Sequence, residues 1–378
     1  MPGANGFLPL SRFVVPEGPA RRPLVGVLPG EGVGPEVMRS ALDVLNALRR
    51  ATGLDVEVRV GGAIGMEAQA LHGRPLAADV EEFCRGVFAE GGVLLCGPGG
   101  GRFVYDMRRR FDLYCKVSPI RAHGALADAG PFRPGHVRGV DLLFVRDNAG
   151  GVYQGEWSER ACPDAGRVAE HRFGYSERQV RRIAEVAARL AVSRRNRLAV
   201  VVKEGGVPTI SRLWCDVTGE VAARHGIACE AINGDHAAYR VLREPHAFDV
   251  VLTPNMLGDL LIDSAALLQG TRALAISANY SGDGAAVYQT NHGSAHDLEG
   301  RDTANPAAQI LALAMLLRES LGFPKEAARI ERAVDEVWRA GRRTADLAPP
   351  GARTVGTREF GRLVASAVER PAPDPLLR

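Results

Sequence analysis

Asn255-Met256-Leu257-Gly258-Asp259-Leu260-Leu261-Ile262-Asp263 sets two aspartates four residues apart inside an apolar run. At helical spacing, i and i+4 lie on one face, one turn apart. Two carboxylates stacked this way repel each other, and a divalent cation is the simplest counter-charge. The plainer alternative is a helix with two solvated acids. Leu260, Leu261, Ile262, Ala265, Ala266 and Leu268 speak against a solvated helix without deciding the matter. A strand expected over 249–253, with Val250, Val251 and Leu252 at its centre, leads straight into the motif, so the whole reads as a strand followed by a helix.

That unit recurs along the chain. A strand at 24–28 passes through Pro29-Gly30-Glu31-Gly32-Val33-Gly34-Pro35-Glu36 into a helical pattern carried by Val37, Ala41, Val44, Leu45 and Leu48. Gly30-x-Gly32-x-Gly34 is not a dinucleotide fingerprint: the spacing is wrong, and the next strand, 54–60, ends without an acidic ribose ligand. Further helices are expected at 80–88, 176–193, 211–224, 307–321 and 325–342. Strands are expected at 92–96, 140–145, 197–203 and 228–232, and an element beginning at 107–110 runs into a strand at 112–117. Alternation of this kind defines an α/β protein. The chain after Ala348 reads as peripheral apart from a short helix at 359–368, and residues 1–22 read as a loosely ordered extension.

Composition narrows the class of function. The formal net charge is +3 and the arginines are dispersed, which argues against a nucleic-acid-binding face. No run has the length of a membrane span, residues 1–23 lack the pattern of a signal peptide, and a cytoplasmic location is expected. Six scattered cysteines without a C-x-x-C pair read as reduced core residues rather than a zinc site. Only three of the 47 basic residues are lysine: Lys116, Lys203 and Lys325. Arginine keeps its proton in a protein, whereas lysine with a lowered pKa acts as a base, so lysines retained in so arginine-rich a chain invite attention. Lys325, in a Pro-Lys-Glu turn, reads as surface.

Charged residues mark the ends of several apolar strands, where α/β proteins place ligands. They are Arg108, Arg146, Lys203 and Asp235, with Tyr153 on a glycine-rich loop. With Asp259 and Asp263 they would form a pocket suited to a metal and a small di-acid, because arginine forks grip carboxylates.

These residues stand in stretches that resemble the β-decarboxylating dehydrogenases, the isopropylmalate and isocitrate dehydrogenase family, over roughly residues 23–345. The stretches are Leu-Pro-Gly-Glu-Gly-Val-Gly-Pro-Glu-Val at 28–37, Asp-Leu-Tyr at 112–114 and Val-Arg-Asp-Asn-x-Gly-Gly-Val-Tyr-x-Gly at 145–155. The strand ending at Lys203, Asn-Met-Leu-Gly-Asp-x-x-x-Asp at 255–263, His-Gly-Ser-Ala-x-Asp at 292–297 and Ala-Asn-Pro at 304–306 follow in the family's order. The resemblance implies a two-domain α/β fold without a standard Rossmann fold. Residues 23–113 plus 270–378 would form a large cofactor-binding domain, and 114–269 a small domain for dimerisation and the metal site. It further implies a homodimer with a shared active site. Asp259 and Asp263 would bind Mg²⁺ or Mn²⁺ with Asp235 of the other subunit. Lys203, also from the other subunit, would take the hydroxyl proton, and Tyr153 would protonate the enolate. Arg108 and Arg146 would hold substrate carboxylates. His292, Gly293, Ser294, Ala295, Asp297 and Asn305 match the adenosine loop, where an acid at 297 favours NAD over NADP.

The chain also departs from the family pattern. Ser118 stands where a third substrate arginine is usual, with Lys116 two residues earlier and so on the same side of a strand. Residues 99–107 carry neither the Ser/Asn pair of isocitrate users nor the leucines of isopropylmalate users. Gly205-Gly206 follows Lys203, Gln289 stands for a glutamate, and Glu31 for an aspartate. The expected activity is NAD-dependent, metal-dependent oxidative decarboxylation of a malate-type 2-hydroxy acid with a non-standard C3 substituent. A plain isopropylmalate or a tartrate/malate-type dehydrogenase is the near alternative, and a non-catalytic regulatory subunit the distant one.

Overall fold

The computed structural model describes residues 22–371, so the extension expected over 1–22 lies outside the described residues but for Arg22. Leu24–Leu28 (β1), buried throughout, leads into Gly34–Thr52 (α1), which has Pro35 in its first turn and ends at the left-handed Gly53. Glu57–Val60 (β2), Gly65–His72 (α2), Ala78–Ala89 (α3), Val93–Cys96 (β3) and Phe103–Arg110 (α4) follow. Next come Cys115–Arg121 (β4), Pro134–Val137 (α5), Asp141–Asp147 (β5), the hairpin Glu156–Cys162 (β6) and Gly166–Arg172 (β7), and Glu177–Val192 (α6). Arg197–Val202 (β8), Pro208–His225 (α7), Ala228–Asn233 (β9), Gly234–Arg243 (α8), Val250–Thr253 (β10) and Asn255–Ala265 (α9) continue the alternation. Ile276–Tyr280 (β11), Ala286–Thr290 (β12), Ala307–Glu319 (α10), Pro324–Arg339 (α11) and Thr357–Glu369 (α12) complete it.

Ten strands form one sheet in the order β2-β1-β3-β12-β11-β4-β5-β10-β8-β9. β2, β1, β3 and β12 are parallel, and so are β5, β10, β8 and β9. β11 and β4 join the two blocks, antiparallel to each other and to their outer neighbours. The blocks therefore run in opposite directions. This α/β sheet is mixed, unlike the all-parallel Rossmann sheet. Its first five strands come from residues 24–96 and 276–290, its other five from 115–253.

Helices cover both faces. α10 is buried almost all round, and Trp214 of α7 and Trp338 of α11 are the largest fully buried side chains. The C-terminal helix is longer than expected and is not peripheral: Phe360 and Val364 are fully buried, and Gly361 lies against Ser40 of α1. The segment expected to run from 107–110 into a strand is divided. Met107–Arg110 closes α4, Asp112 turns the chain at φ 40, and β4 starts only at Cys115. Arg108 is thus on a helix rather than a strand end, and Asp235 is in the first turn of α8. Lys325, likewise, belongs to the first turn of α11. No helix among the described residues is long and apolar enough to cross a membrane.

Candidate active site

β5, running antiparallel to β4, ends where β4 begins, so Arg146 and Lys116 are paired in register. β10 and β8 are parallel to β5 and end on the same edge. Arg146, Lys203 and the start of α9 therefore gather at strand C-termini.

Arg146 is 1% exposed, and a guanidinium so buried needs partners. Its Nε and one Nη donate to Asn255 Oδ1 at 3.2 and 2.8 Å, and its other Nη donates to Asp259 Oδ1. Asn255 is held in turn, donating its side-chain nitrogen to Gly150 O at 3.0 Å. The Tyr153 hydroxyl donates to Asp259 Oδ2 at 3.0 Å. Burial, then the Asp259 charge, pushes the Tyr153 phenol up to about 12, so it carries its proton at neutral pH. Burial alone would raise the Asp259 carboxyl, but Arg146, Lys116, the Tyr153 hydroxyl and Arg108 hold it below its usual range.

Two further cations face this group. Arg108, 7% exposed, and Lys116, 5% exposed, have no hydrogen-bond or ion-pair partner among the described residues. Burial, then the neighbouring arginines, pushes Lys116 well down and lowers Arg108 too. Ser118 lies farther along β4, fully buried, and its hydroxyl has no partner. Of residues 99–107, Phe103 and Met107 are core. Tyr105 packs edge-on against Tyr153 at 5.3 Å between ring centres, with the Arg108 guanidinium 5.7 Å from its ring. Arg102 donates to Tyr153 O at 3.4 Å and stacks on Trp157 of β6.

Asp263 lies one turn beyond Asp259 and pairs with Arg272 at 2.7 Å. Lys203 and Asp235 pair with each other at 2.9 Å, their side chains 45% and 71% exposed, which lowers the Asp235 carboxyl. No hydrogen bond ties them to Asp259, Asp263 or Tyr153, and no group of three metal-ligating side chains gathers among the described residues. One chain thus unites Arg108, Lys116, Arg146, Tyr153 and Asp259 and leaves Lys203 and Asp235 apart.

The adenosine-loop candidates follow β12. His292 Nδ1 donates to Gly293 O at 2.9 Å, and burial pushes its imidazole down. Ser294 donates to Glu31 at 2.9 Å, and Ala295 adopts the left-handed conformation. Asp297 is exposed, its carboxylate without a partner among the described residues. Asn305 has its amide engaged by Ala307 N and Asp346, at 3.0 Å each. Asn255 and Tyr105 received no role from the sequence. The only signal for Asn255 was its place at the head of the motif.

Comparisons with known proteins bear on the family and the fold. The family model described as isocitrate/isopropylmalate dehydrogenase matches residues 24–364. The chain is similar to 3-isopropylmalate dehydrogenase of Priestia megaterium, 38% identical over 91% of this chain and 95% of that protein. It is 36% identical to the 3-isopropylmalate dehydrogenase of Geobacillus kaustophilus, with the same coverage. Among solved structures, isocitrate dehydrogenase from Methylococcus capsulatus superposes with a TM-score of 0.81 at 30% identity, covering 92% of this chain and all of that one. With the ordered motifs, the mixed ten-stranded sheet and a match over nearly its whole length, the chain belongs to the isocitrate/isopropylmalate dehydrogenase family.

Proposed function

We propose that the protein catalyses NAD-dependent, divalent-metal-dependent oxidative decarboxylation of a malate-type 2-hydroxy acid with a non-standard C3 substituent. The observation that carries this reading is the charge of the cleft. Arg108, Lys116 and Arg146 face the Tyr153–Asp259 pair, and Arg108 and Lys116 have no hydrogen-bond or ion-pair partner among the described residues. A buried cation cluster of this kind is completed by an anion, and a dicarboxylate supplies two negative charges.

Asp259 and Asp263 offer two carboxylates on one helix face, and a cation there needs further oxygen ligands. Asp235, exposed and set apart, fits as the third carboxylate when it comes from a second copy of the chain. Bound there, Mg²⁺ or Mn²⁺ would supply a Lewis acid that polarises the substrate hydroxyl and steadies an enolate. For the nucleotide, Asp297 presents a free carboxylate to both ribose hydroxyls and would repel a 2′-phosphate. Lys203 from the second copy would accept the hydroxyl proton, and bound NAD would supply the acceptor for the hydride that leaves the carbinol carbon. The resulting 2-keto acid breaks the bond from C3 to its carboxyl group and releases CO₂. The electron pair left behind forms the enolate, and the Tyr153 hydroxyl, protonated at neutral pH, returns a proton to carbon. Arg108 and Arg146 hold the substrate carboxylates, and Lys116 stands in for the absent arginine at 118.

The shared site requires a homodimer, and two exposed features support one. The β6–β7 hairpin is exposed along most of its length outside the main sheet, although an isolated hairpin is barely stable in water. Leu260 is 62% exposed on α9, and Tyr239 63% on α8. Division into a large domain, 23–113 plus 270–378, and a small one, 114–269, is supported by the two blocks of five strands. A cytoplasmic setting suits such a reaction. The near alternative, 3-isopropylmalate itself, is favoured by relatives of that name at 36–38% identity.

The test is an NADH-formation screen with Mn²⁺ against malate analogues carrying different C3 groups. Turnover of one analogue above isopropylmalate supports the reading. Absence of turnover on every analogue, with NAD binding intact, overturns it. The exposed Lys203, changed to arginine, should abolish turnover and leave the melting temperature within about 2 °C of wild type. Surviving activity would remove it as the base.

A further inference from the structure

We infer that Glu31 is a positioning residue that locks the substrate-side loop, 97–102, to the nucleotide loop, 292–297. This rests on the NAD reading above and adds to it a physical link between the two half-sites. Glu31 sits in the turn between β1 and α1 and is 3% exposed. Its Oε1 accepts from Gly100 N at 2.5 Å and from Ser294 Oγ at 2.9 Å, and its Oε2 accepts from Glu67 N at 3.0 Å, in the first turn of α2. No lysine or arginine pairs with it among the described residues, and the nearest basic side chain is the His296 ring at 3.9 Å. Its charge is therefore balanced by donors on three separate segments.

The backbone repeats the link. Glu31 N donates to Pro98 O at 2.9 Å, and Val33 N donates to Ser294 O at 2.8 Å. The packing around the link is close. A Cβ on Gly32, which sits at φ +58, would lie 2.0 Å from Ser294 O, and one on Gly100 would lie 2.5 Å from Glu31 Oε1. The carboxylate thus fills a socket whose walls are the two loops. One loop leads into α4, which carries Arg108 and Tyr105; the other carries Asp297. A shift of either loop is transmitted to the other through Glu31. The extra methylene that glutamate has over aspartate gives the reach to all three donors.

Glu31→Gln tests the link, because an amide nitrogen turned toward Gly100 or Glu67 meets another donor and cannot accept. Hydrogen exchange on the ligand-free protein is the first readout. The amides of Val33, Glu67 and Gly100 should exchange about tenfold faster together, the rest of the chain keeping its protection. NAD titration by calorimetry is the second. The dissociation constant should rise about tenfold in Glu31→Gln, the loss of one charge-assisted hydrogen bond. Ser294→Ala, which leaves the carboxylate its two backbone donors, should raise it comparably, and the double variant should add nothing further. If Glu31→Gln does not fold, Ser294→Ala and Glu31→Asp carry the same two readouts. Faster exchange confined to Gly100 and Glu67, or an unchanged NAD affinity, would overturn the link. Absence of NAD binding by the wild-type protein would instead overturn the cofactor reading, and the exchange data would then judge Glu31 alone.

Discussion

Lys116 and Arg108 are buried basic groups with no direct hydrogen-bond or ion-pair partner among the described residues, offset only at a distance by Asp259, and at the scale of the residue this is a cost the ligand-free protein carries. Lys116→Met removes one charge while keeping an unbranched chain that fits the same space. At pH 7 the variant should be more stable by about 1–3 kcal/mol in urea unfolding, and should bind dicarboxylates at least about tenfold more weakly. The pH dependence follows from the sign of the shift. The lysine pKa is lower in the folded chain than in the unfolded one, so the unfolded state binds more protons between the two values. The wild type is therefore penalised fully below the folded pKa, and gains stability as pH rises toward the ordinary lysine value of 10.5. The advantage of Lys116→Met should shrink over that window; an advantage that grew with pH would contradict the burial of a charged amine. Ser118 makes a matching case. Its side chain is fully buried, so Ser118→Arg should lose stability rather than simply restore a substrate contact, and should recover only when Lys116 is also shortened.

The helix α9 shows what a single element asks of its sequence. Gly258 is helical, yet a Cβ there would lie 2.0 Å from Thr253 Oγ1 and 3.0 Å from Arg146 Cγ, and Thr253 has no exposure to give way into. Gly258→Ala should cost about 1–3 kcal/mol and lower activity, by pushing Asp259 away from Arg146. Gly86, inside α3, meets nothing within 4 Å, so Gly86→Ala should gain about 0.5–1 kcal/mol. Thermal unfolding of the pair checks both signs. Helices such as α6 and α7 were legible in the sequence because a buried apolar stripe recurs at helical spacing. β6 and β7 were not, since nearly every residue is exposed and no alternation marks a face. β11 was hidden for the opposite reason: Ile276, Ser277, Ala278, Asn279 and Tyr280 are all buried, so polar and apolar residues carry no face signal. In the site, Asp259 and Tyr153 could be read from motif order. Their hydrogen bond, and the grip of Asn255 on Arg146, depend on β5 and β10 lying side by side, which no local pattern states.

At the scale of the whole molecule, Lys203 at the end of β8 and Asp235 after β9 share a strand block with the Tyr153–Asp259 pair, yet their side chains bond to each other and not to that pair. Under the proposed function a complete site would take two chains, each copy lending Lys203 and Asp235 to the other's site. Complementation distinguishes this arrangement from a site built within one chain. Lys203→Ala keeps Tyr153 and Asp259 intact, while Asp259→Asn keeps Lys203 intact, and each variant alone should be inactive. After subunit exchange in mild denaturant, half of the dimers at random mixing contain one chain of each kind. Such a mixed dimer has one site with all its groups and one with neither Lys203 nor Asp259. Activity should therefore return to about a quarter of the wild-type level, on whichever analogue the substrate screen identifies. Exchange verified by a mass tag with no return of activity would mean that Lys203 and Asp259 act from the same chain, and the separation seen between them would then have to close by movement within one subunit.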